Sequence, residues 1–333
     1  MTDGDTFLSP RAIQMRTPQE NRFEPHVGLG AGAEFDAIRR MLERWGPHAH
    51  RIGDDAAVMR SFGDRALIVS TDTSVENVHF RRDWLTPSEI GYRAAAAALS
   101  DLAAMGAKPI GMLVAMVIPD NWRDSLDALS DGIGDAAAGS HAPIVGGDLV
   151  TGETMSLTFT VLGTARDALL RSGARQGDGI YVTGTLGGPL AALVAFREGS
   201  QPLPDHRQRF ARPVPRIAEA AYLASEGATS AIDISDGLAG DLSHIAVASR
   251  ARLVVNLECL PVEPGMSPLD AVTSGEEYEL VITSPVAISA ERFKSRFGIP
   301  ITRIGSVEEG EPGVTLLMNG QQVEAPRGYL HFE

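Results

Sequence analysis

The sequence predicts a two-domain α/β or α+β fold, because strand-like and helix-like segments alternate through both halves of the chain. Its 333 residues, of which 44% are hydrophobic, suffice for two cores of ordinary size. No apolar run reaches the roughly 18 residues that a membrane-spanning helix needs. We therefore expect a protein that does not enter a membrane.

The first residues, 1–32, are rich in proline, glycine and charge and lack a clear period. We expect them to form an extension that is disordered or packed as an irregular arm. Folded structure is predicted to begin near Glu34, where apolar residues recur at helical spacing until Gly46, a common helix terminator. We expect an N-terminal domain at 33–165 and a C-terminal domain at 166–333.

The best-marked element of the N-terminal half is a helix that begins at Pro87. Thr86 as N-cap and Glu89 three residues later form a capping box, and an alanine-rich run continues to Ala104. The other elements predicted in this half are a helix at Trp122–Ala138 and strands at Ala66–Val69, Ile110–Ile118, Ile144-Val145 and Met155–Leu162.

The C-terminal half alternates in the same way, and the change of domain is predicted between Gly163 and Gly177. Asn319-Gly320, after the strand-like Thr315–Met318, predicts a hairpin. The remaining strands are predicted at Gly179–Thr183, Ala231–Ile234, Leu253–Leu257, Tyr278–Thr283 and Ile301–Val307, and the helices at Leu190–Arg197, Ile217–Ser225, Asp241–Arg250 and Ala290–Phe297.

The charge balance is acidic, with 29 basic and 43 acidic residues and a net charge of −14. This balance argues against nucleic acid as a partner, since phosphate backbones call for basic surfaces. An acidic protein can still bind nucleotides through metal cations. The single cysteine, Cys259, cannot form an intramolecular disulfide, and the N-terminus lacks the apolar centre of a signal peptide, so we expect a cytoplasmic protein.

Aspartates follow apolar residues and a small or hydroxyl residue at several points of the chain. A single such aspartate would most simply cap a helix or end a strand. Several together indicate a magnesium site, because Mg²⁺ takes carboxylate, water and phosphate oxygens. The five segments are Ile52-Gly53-Asp54-Asp55, Val69-Ser70-Thr71-Asp72, Leu99-Ser100-Asp101, Val145-Gly146-Gly147-Asp148 and Ile232-Asp233-Ile234-Ser235-Asp236.

Strand alternation predicts the directions of the side chains in two of these segments. It predicts that Asp233 and Ser235 share one face of a strand while the isoleucines face the core. It also predicts that Asp54 and Asp55 point apart if the chain is extended there, and we assign metal binding mainly to Asp55. His79, shortly after the Asp72 segment, is either a site residue or a histidine satisfied within its loop.

Taken in order, these motifs resemble those of thiamine-monophosphate kinases over roughly residues 34 to 333. The similar segments are Gly53-Asp54-Asp55-Ala56, Ser70-Thr71-Asp72-Thr73 leading to His79-Phe80, Leu99-Ser100-Asp101 through Gly106-Ala107, Gly146-Gly147-Asp148, Arg171-Ser172-Gly173-Ala174, Ala231-Ile232-Asp233-Ile234-Ser235-Asp236-Gly237-Leu238 and Gly275-Glu276-Glu277-Tyr278-Glu279-Leu280.

The resemblance implies the two-domain architecture of aminoimidazole ribonucleotide synthetase-like proteins, with a homodimer formed through the sheet of the N-terminal domain and a C-terminal domain that covers the active cleft. It implies ATP and thiamine monophosphate as substrates and several Mg²⁺ ions as cofactor. The catalytic residues it implies are Asp72, Asp148 and Arg171. The residues implied to hold magnesium are Asp55, Ser70, Thr71, Asp72, Asp101, Asp148, Asp233 and Asp236; to contact ATP, Gly147, Asp148, Arg171 and Ser235; and to contact thiamine monophosphate, His79, Glu276 and Tyr329.

Two departures from the family pattern stand out. Ser274-Gly275-Glu276-Glu277 replaces the usual Gly-Gly-Glu-Asp, and Leu149 replaces the Ser or Thr that commonly follows Gly-Gly-Asp. Two alternative functions remain at this point. One is another ATP-using enzyme of the same superfamily, such as a ligase that acts on a purine intermediate, and the other is a non-catalytic nucleotide-binding protein.

Overall fold

The computed structural model describes residue 28 and residues 32–45, 52–60 and 64–324, and the first helix, α1, spans Ala33–Trp45. The first half after α1 is built on a five-stranded sheet with the order β1-β2-β5-β3-β4. Only β3 and β4 run parallel among its pairs. Its strands are β1 (Ala57–Arg60), β2 (Ala66–Val75), β3 (Lys108–Ile118), β4 (Ile144–Thr151) and β5 (Ser156–Ala165).

Helix α2 (Pro87–Ala104) packs on this sheet, and helix α3 (Leu126–Gly139) packs against α2. The predicted capping box opens α2, because Thr86 Oγ1 accepts from the Glu89 backbone N–H at 3.3 Å while Glu89 Oε2 accepts from the Thr86 N–H at 2.8 Å. The two helices approach closely at a glycine. A Cβ at Gly132 would lie 1.9 Å from the carbonyl oxygen of Ser88, so no larger residue fits there.

The second half is built on a seven-stranded sheet with the order β12-β11-β8-β10-β6-β9-β7. Its pairs are antiparallel except for β8 with β11. The predicted hairpin at Asn319-Gly320 joins β11 to β12. The strands are β6 (Gly179–Thr183), β7 (Ser230–Asp233), β8 (Arg252–Asn256), β9 (Leu280–Ser284), β10 (Ile301–Glu308), β11 (Gly313–Met318) and β12 (Gln321–Val323).

Some helices of the second half pack on this sheet, and others contact α2 of the first half. At the end of α2, Ala103 and Ala104 share a buried cluster with Leu223 and Ile282, so the two halves meet through a common apolar contact. These helices are α4 (Gly188–Arg197), α5 (Pro204–Ala211), α6 (Ile217–Ser225), α7 (Leu238–Ser249), α8 (Pro268–Thr273) and α9 (Ala290–Phe297).

Most predicted elements lie within a few residues of their positions in the structure. The predicted helix Trp122–Ala138 was wrong in part, because a 3₁₀ segment, Asp120–Ser125, precedes α3. The strand predicted at Ile144-Val145 continues to Thr151 as β4. Three short helices or strands were not predicted: β1 and α8 are too short to show a hydrophobic period, and α5 contains few apolar residues. None of the helices in the described part of the chain combines the length and apolarity needed to cross a membrane.

Candidate active site

A cavity of about 1200 Å³ opens between the first sheet, α2 and the segments around β7 and β9. Both halves of the chain contribute to its lining, which brings motifs from distant parts of the sequence together. The predicted site residues on the lining are Asp55, Ser70, Thr71, Asp72, His79, Asp101, Arg171, Asp233, Ser235, Asp236 and Glu276.

Three carboxylates form what we call the carboxylate cluster, Asp55, Asp101 and Asp233. Each offers an oxygen within 4.8 Å of the others. They come from the bend before β1, the last turn of α2 and the end of β7. Hydroxyls orient two of them, since Ser70 Oγ lies 2.5 Å from an oxygen of Asp101 and Ser100 Oγ donates to Asp233 at 2.6 Å.

The cluster holds more negative charge than its protein surroundings neutralise. Burial and then repulsion from Asp233 raise the pKa of Asp101 well above its usual value. Burial and then the charge of Asp55 raise the pKa of Asp233 to about 7, against the hydrogen bond from Ser100. Three oxygen ligands at this separation, short of positive charge, suit a hard divalent cation.

Arg171 lies at one side of the cluster and binds both aspartates of the first pair. Its guanidinium donates to Asp55 from Nη2 at 2.6 Å and from Nε at 3.1 Å, and its backbone N–H donates to Asp54 at 2.9 Å. Burial alone would lower the pKa of Arg171, but Asp55 raises it above its usual value. The pair of aspartates lies in a bend, so the prediction that they point apart along an extended chain does not apply.

The residues of β2 divide between the two faces of the sheet. Ser70 faces α2, where it meets Asp101. Thr71 faces the other way, and its hydroxyl lies 3.3 Å from that of Thr160. β7 ends at Asp233, so Ser235 lies beyond the strand and the predicted strand alternation does not relate the two, although both line the cavity.

Gly147 and Asp148 are not brought into this cavity. They lie on β4, the exposed edge strand, and Asp148 pairs with Ala115 of β3. Ala115 pairs with Thr158 of β5, and Thr158 pairs with Thr73 of β2, next to Asp72. Three strand spacings, about 14 Å, therefore separate Asp148 from the cavity edge within one chain. A Cβ at Gly147 would lie 1.9 Å from the Val114 carbonyl oxygen, which explains the glycine.

The loop between α8 and β9 carries the predicted substrate residue Glu276. Glu276 and Tyr278 have left-handed backbone angles, with φ of 58° and 52°. Their backbone N–H groups donate to the carbonyls of Ser235 and Ile234 at 2.7 and 2.9 Å, which ties the loop to the segment after β7. The side chain of Glu276 forms an ion pair with Arg93 of α2.

Behind this loop lies a buried ion network that the sequence did not predict. Glu277 accepts from Arg209 at 2.7 Å, from the Gly187 backbone at 2.6 Å and from Ser274 at 2.5 Å. Glu279 binds both Arg209 and Arg216. Burial raises the pKa of Glu277 to about 7, although Arg209 opposes this, whereas Arg216 lowers the pKa of Glu279 against the effect of burial.

A second part of the lining is the aromatic wall, which consists of Trp84, Phe196 and Phe210. Trp84 stacks on Phe196 with 5.6 Å between ring centroids and 8° between planes, and Phe196 lies 5.6 Å from Phe210. The Arg93 guanidinium lies 4.0 Å from the Phe210 centroid. This wall offers flat apolar surface for a ring system.

His79 also lines the cavity. Its Nδ1 accepts a hydrogen bond from the Val75 backbone N–H at 3.0 Å. A neutral ring that accepts at Nδ1 carries its proton on Nε2. Tyr329, the third predicted substrate contact, lies outside the described residues.

A further group of possible ligands lies beside the cavity, formed by Asp236, Asp241 and His244. Burial and then the charge of Asp236 raise the pKa of Asp241 well above its usual value. Burial and then Arg171 lower the pKa of His244 to about 4, so its imidazole is neutral near pH 7. Asp241 and His244 lie three residues apart on α7, a spacing that places them on one helix face and could have been recognised in the sequence.

Both halves of the chain are similar to known proteins. The N-terminal domain of AIR synthase related proteins matches residues 53–165, and their C-terminal domain matches residues 175–316. The chain is 36% identical to the thiamine-monophosphate kinase of Escherichia coli (strain K12), over 91% of this chain and 99% of that protein. This chain belongs to the thiamine-monophosphate kinase family. It is also 32% identical to the family member of Bacillus subtilis (strain 168), over 90% of this chain and 99% of that one.

Solved structures of the thiamine-monophosphate kinase family have the same fold. The structure of AaThiL complexed with AMPPCP and TMP aligns with a TM-score of 0.78 and 29% identity, over 90% of this chain and 97% of that one. Against the family pattern, the departures Ser274 and Glu277 contact each other directly. The serine hydroxyl donates a hydrogen bond to the longer acid, and Glu276 between them lines the cavity.

Proposed function

We propose that this protein is an ATP-dependent, magnesium-requiring kinase that converts thiamine monophosphate to thiamine diphosphate. The observation that carries the proposal is the single cavity that joins the carboxylate cluster to His79, Glu276 and the aromatic wall. A phosphate-binding region and a ring-binding region adjoin there, as a phosphorylated heterocycle and a nucleotide require. The relatives' names and the ATP analogue and TMP in AaThiL support the same substrates.

The residues that we assign to magnesium are those of the carboxylate cluster together with Ser70, Thr71, Asp72 and Asp236. We also assign Asp148 to magnesium, but from a second copy of the chain. The raised pKa values of Asp101 and Asp233 support this assignment, because the carboxylates lack positive charge that a cation would supply. Bound magnesium ions would neutralise phosphate oxygens of both substrates, which otherwise repel each other.

The remaining chemistry is mostly positioning. The acceptor is a phosphate already ionised near neutral pH, so the reaction needs no strong general base. Arg171, held by Asp55, presents a fixed cation beside the carboxylates for the ATP phosphates, and Ser235 offers a hydroxyl nearby. We assign His79 and Glu276 to thiamine monophosphate, with Glu276 oriented by Arg93.

We further propose a homodimer in which Gly147 and Asp148 act on the partner's ATP and magnesium. All eight residues of β4 are exposed, and its apolar side chains include Val145 at 60% and Leu149 at 57% exposure. Such an apolar edge strand is typical of an interface. Since Asp148 lies about three strand spacings from its own cavity, a second copy of the chain can supply it.

Mixing two inactive variants tests this arrangement. We expect Asp148→Asn and Asp101→Asn each to be inactive as purified homodimers. After unfolding and refolding together, about half of the dimers combine one subunit of each kind and restore one intact site, giving about a quarter of wild-type activity. No recovery, with heterodimers verified by mass spectrometry, would place Asp148 in the site of its own subunit.

We also propose that residues 33–165 and 166–333 are the two domains and that the protein is cytoplasmic. The first sheet ends at Ala165 and the second begins at Gly179, which supports this division. The extension predicted at 1–32 lies, apart from residues 28 and 32, outside the described residues.

The assay that tests the function supplies ATP, Mg²⁺ and thiamine monophosphate and follows thiamine diphosphate, with free thiamine as control. Product from free thiamine but not from the monophosphate would contradict the substrate, and turnover of a purine intermediate alone would favour the ligase alternative.

A further inference from the structure

The group formed by Asp236, Asp241 and His244 has a different ligand chemistry from the carboxylate cluster. Each side chain offers one donor atom within 4.8 Å of the other two. Asp236 lies just before α7, Asp241 in its first turn and His244 one turn later. Ligands around one ion lie up to about 4.3 Å apart, so small side-chain movements close the group around a cation.

The carboxylate of Asp241 gives a second and independent indication of a ligand. Asp241 is only 1% exposed, and its Oδ2 has no hydrogen-bond partner among the described residues. A buried acceptor without a donor is costly, and native proteins rarely leave one. The nearby Arg171 guanidinium does not fill this role, because it donates to Asp55 and to the Gly53 carbonyl.

His244 completes the group from within the fold. It is 8% exposed, and the Phe35 ring of α1 lies 4.9 Å from its ring centroid. This packing limits the movement of the imidazole. A neutral imidazole nitrogen is a common ligand of divalent transition metals.

We propose that Asp236, Asp241 and His244 bind a divalent first-row transition metal at a site separate from the carboxylate cluster. Two carboxylates and one imidazole suit ions such as Mn²⁺ or Zn²⁺ better than Mg²⁺, which prefers oxygen ligands alone. Asp236 is the residue shared with the magnesium ligands that the family resemblance implies. The bound ion joins the segment after β7 to α7 and fixes the direction of Asp236.

Electron spin-echo measurements on Mn²⁺ bound to the full chain test this proposal, because a ¹⁴N coupling appears only where a histidine nitrogen binds the ion. The metal-free protein is titrated with Mn²⁺ alone, without ATP or thiamine monophosphate. We expect a ¹⁴N coupling in the wild type, its loss in His244→Gln, and one fewer Mn²⁺ bound in both His244→Gln and Asp241→Asn. The matched control is His79→Gln, which alters the histidine on the cavity lining and should retain the coupling.

Two results overturn the site. One is a wild-type protein without ¹⁴N coupling at saturating Mn²⁺, and the other is a coupling that persists in His244→Gln. Circular dichroism verifies the folding of each variant, and the isosteric Asp241→Asn gives the stoichiometry if His244→Gln does not fold. Because no substrate is present, the outcome is independent of the kinase assignment.

Discussion

The carboxylate cluster and the aromatic wall line the same cavity but differ in how far their charges are neutralised by neighbouring side chains. In the cluster, three carboxylates lie together and only Asp55 has a cationic partner, Arg171, among the contacts described. At the wall, by contrast, the charges of Arg93 and Glu276 pair with each other, and Phe210 packs against the guanidinium. One region leaves negative charge for a ligand to neutralise, and the other is balanced before anything binds.

Because of this difference, the two regions bind their ligands through different interactions. The cluster gains most of its affinity from cations and the phosphates they carry, so its contribution depends on charge. The wall gains affinity from buried ring area, so its contribution depends on shape and varies little with charge. Substitutions at the cluster should therefore change turnover, and substitutions at the wall should change the apparent affinity for the acceptor.

The largest expected effect is that of Asp101→Asn. This change removes a charge from the cluster with almost no change in volume, so we expect kcat to fall about 10³-fold with folding retained. Steady-state kinetics at saturating Mg²⁺ measure it. The matched control is Asp83→Asn, which also lines the cavity but pairs with Arg81 at an exposed position and should change kcat by less than about twofold. Equal effects of the two substitutions would contradict the special role of the cluster.

The second effect concerns the ion network behind the Glu276 loop. Arg209→Met leaves Glu277 without its cationic partner, while Glu279 keeps Arg216. Because one buried partner is lost and the other is retained, we expect the free energy of unfolding to fall by about 3 kcal/mol. Urea denaturation measures it, with the exposed Arg166→Met as control. A loss no greater than that of the control would mean that the network does not stabilise the loop.

The sequence predicted much of the cluster but little of this network. Asp55, Asp101 and Asp233 each end or follow an apolar segment, so their neighbours along the chain indicate them. Arg209 and Glu277 lie far apart in sequence, and only the packing of α5 against the loop before β9 brings them together. A local sequence pattern cannot predict such a long-range contact. Asp148 is the converse case, because its motif was recognised while its place on β4 lies outside the cavity of its own chain.

A smaller effect is a pH dependence of stability from Glu277. With its pKa raised to about 7, the folded protein holds a proton that the unfolded chain releases near pH 4.5. Its contribution to stability is therefore complete below about pH 4.5 and is lost as the pH rises through about 7.

The glutamine of Glu277→Gln cannot ionise. As the pH rises from about 5 to 7, we therefore expect the free energy of unfolding of the wild type to fall by about 2 kcal/mol relative to that of the variant. Thermal and urea unfolding across this range measure the change. The exposed Glu153→Gln provides the baseline. Parallel curves for wild type and Glu277→Gln would show that Glu277 stays ionised throughout.

The smallest effect is expected at the aromatic wall. Trp84→Leu removes the ring that stacks on Phe196 but keeps an apolar side chain, so the loss is about 1 kcal/mol of ring contact. The apparent KM for thiamine monophosphate should rise about fivefold, while kcat and the KM for ATP stay nearly constant. The reason is that the aromatic wall supplies none of the charged groups that bind the phosphates. Initial rates with each substrate varied in turn measure all three constants. A fall in kcat with an unchanged KM would contradict the separation, because it would mean that the wall acts on the reacting phosphates rather than on the ring of the acceptor.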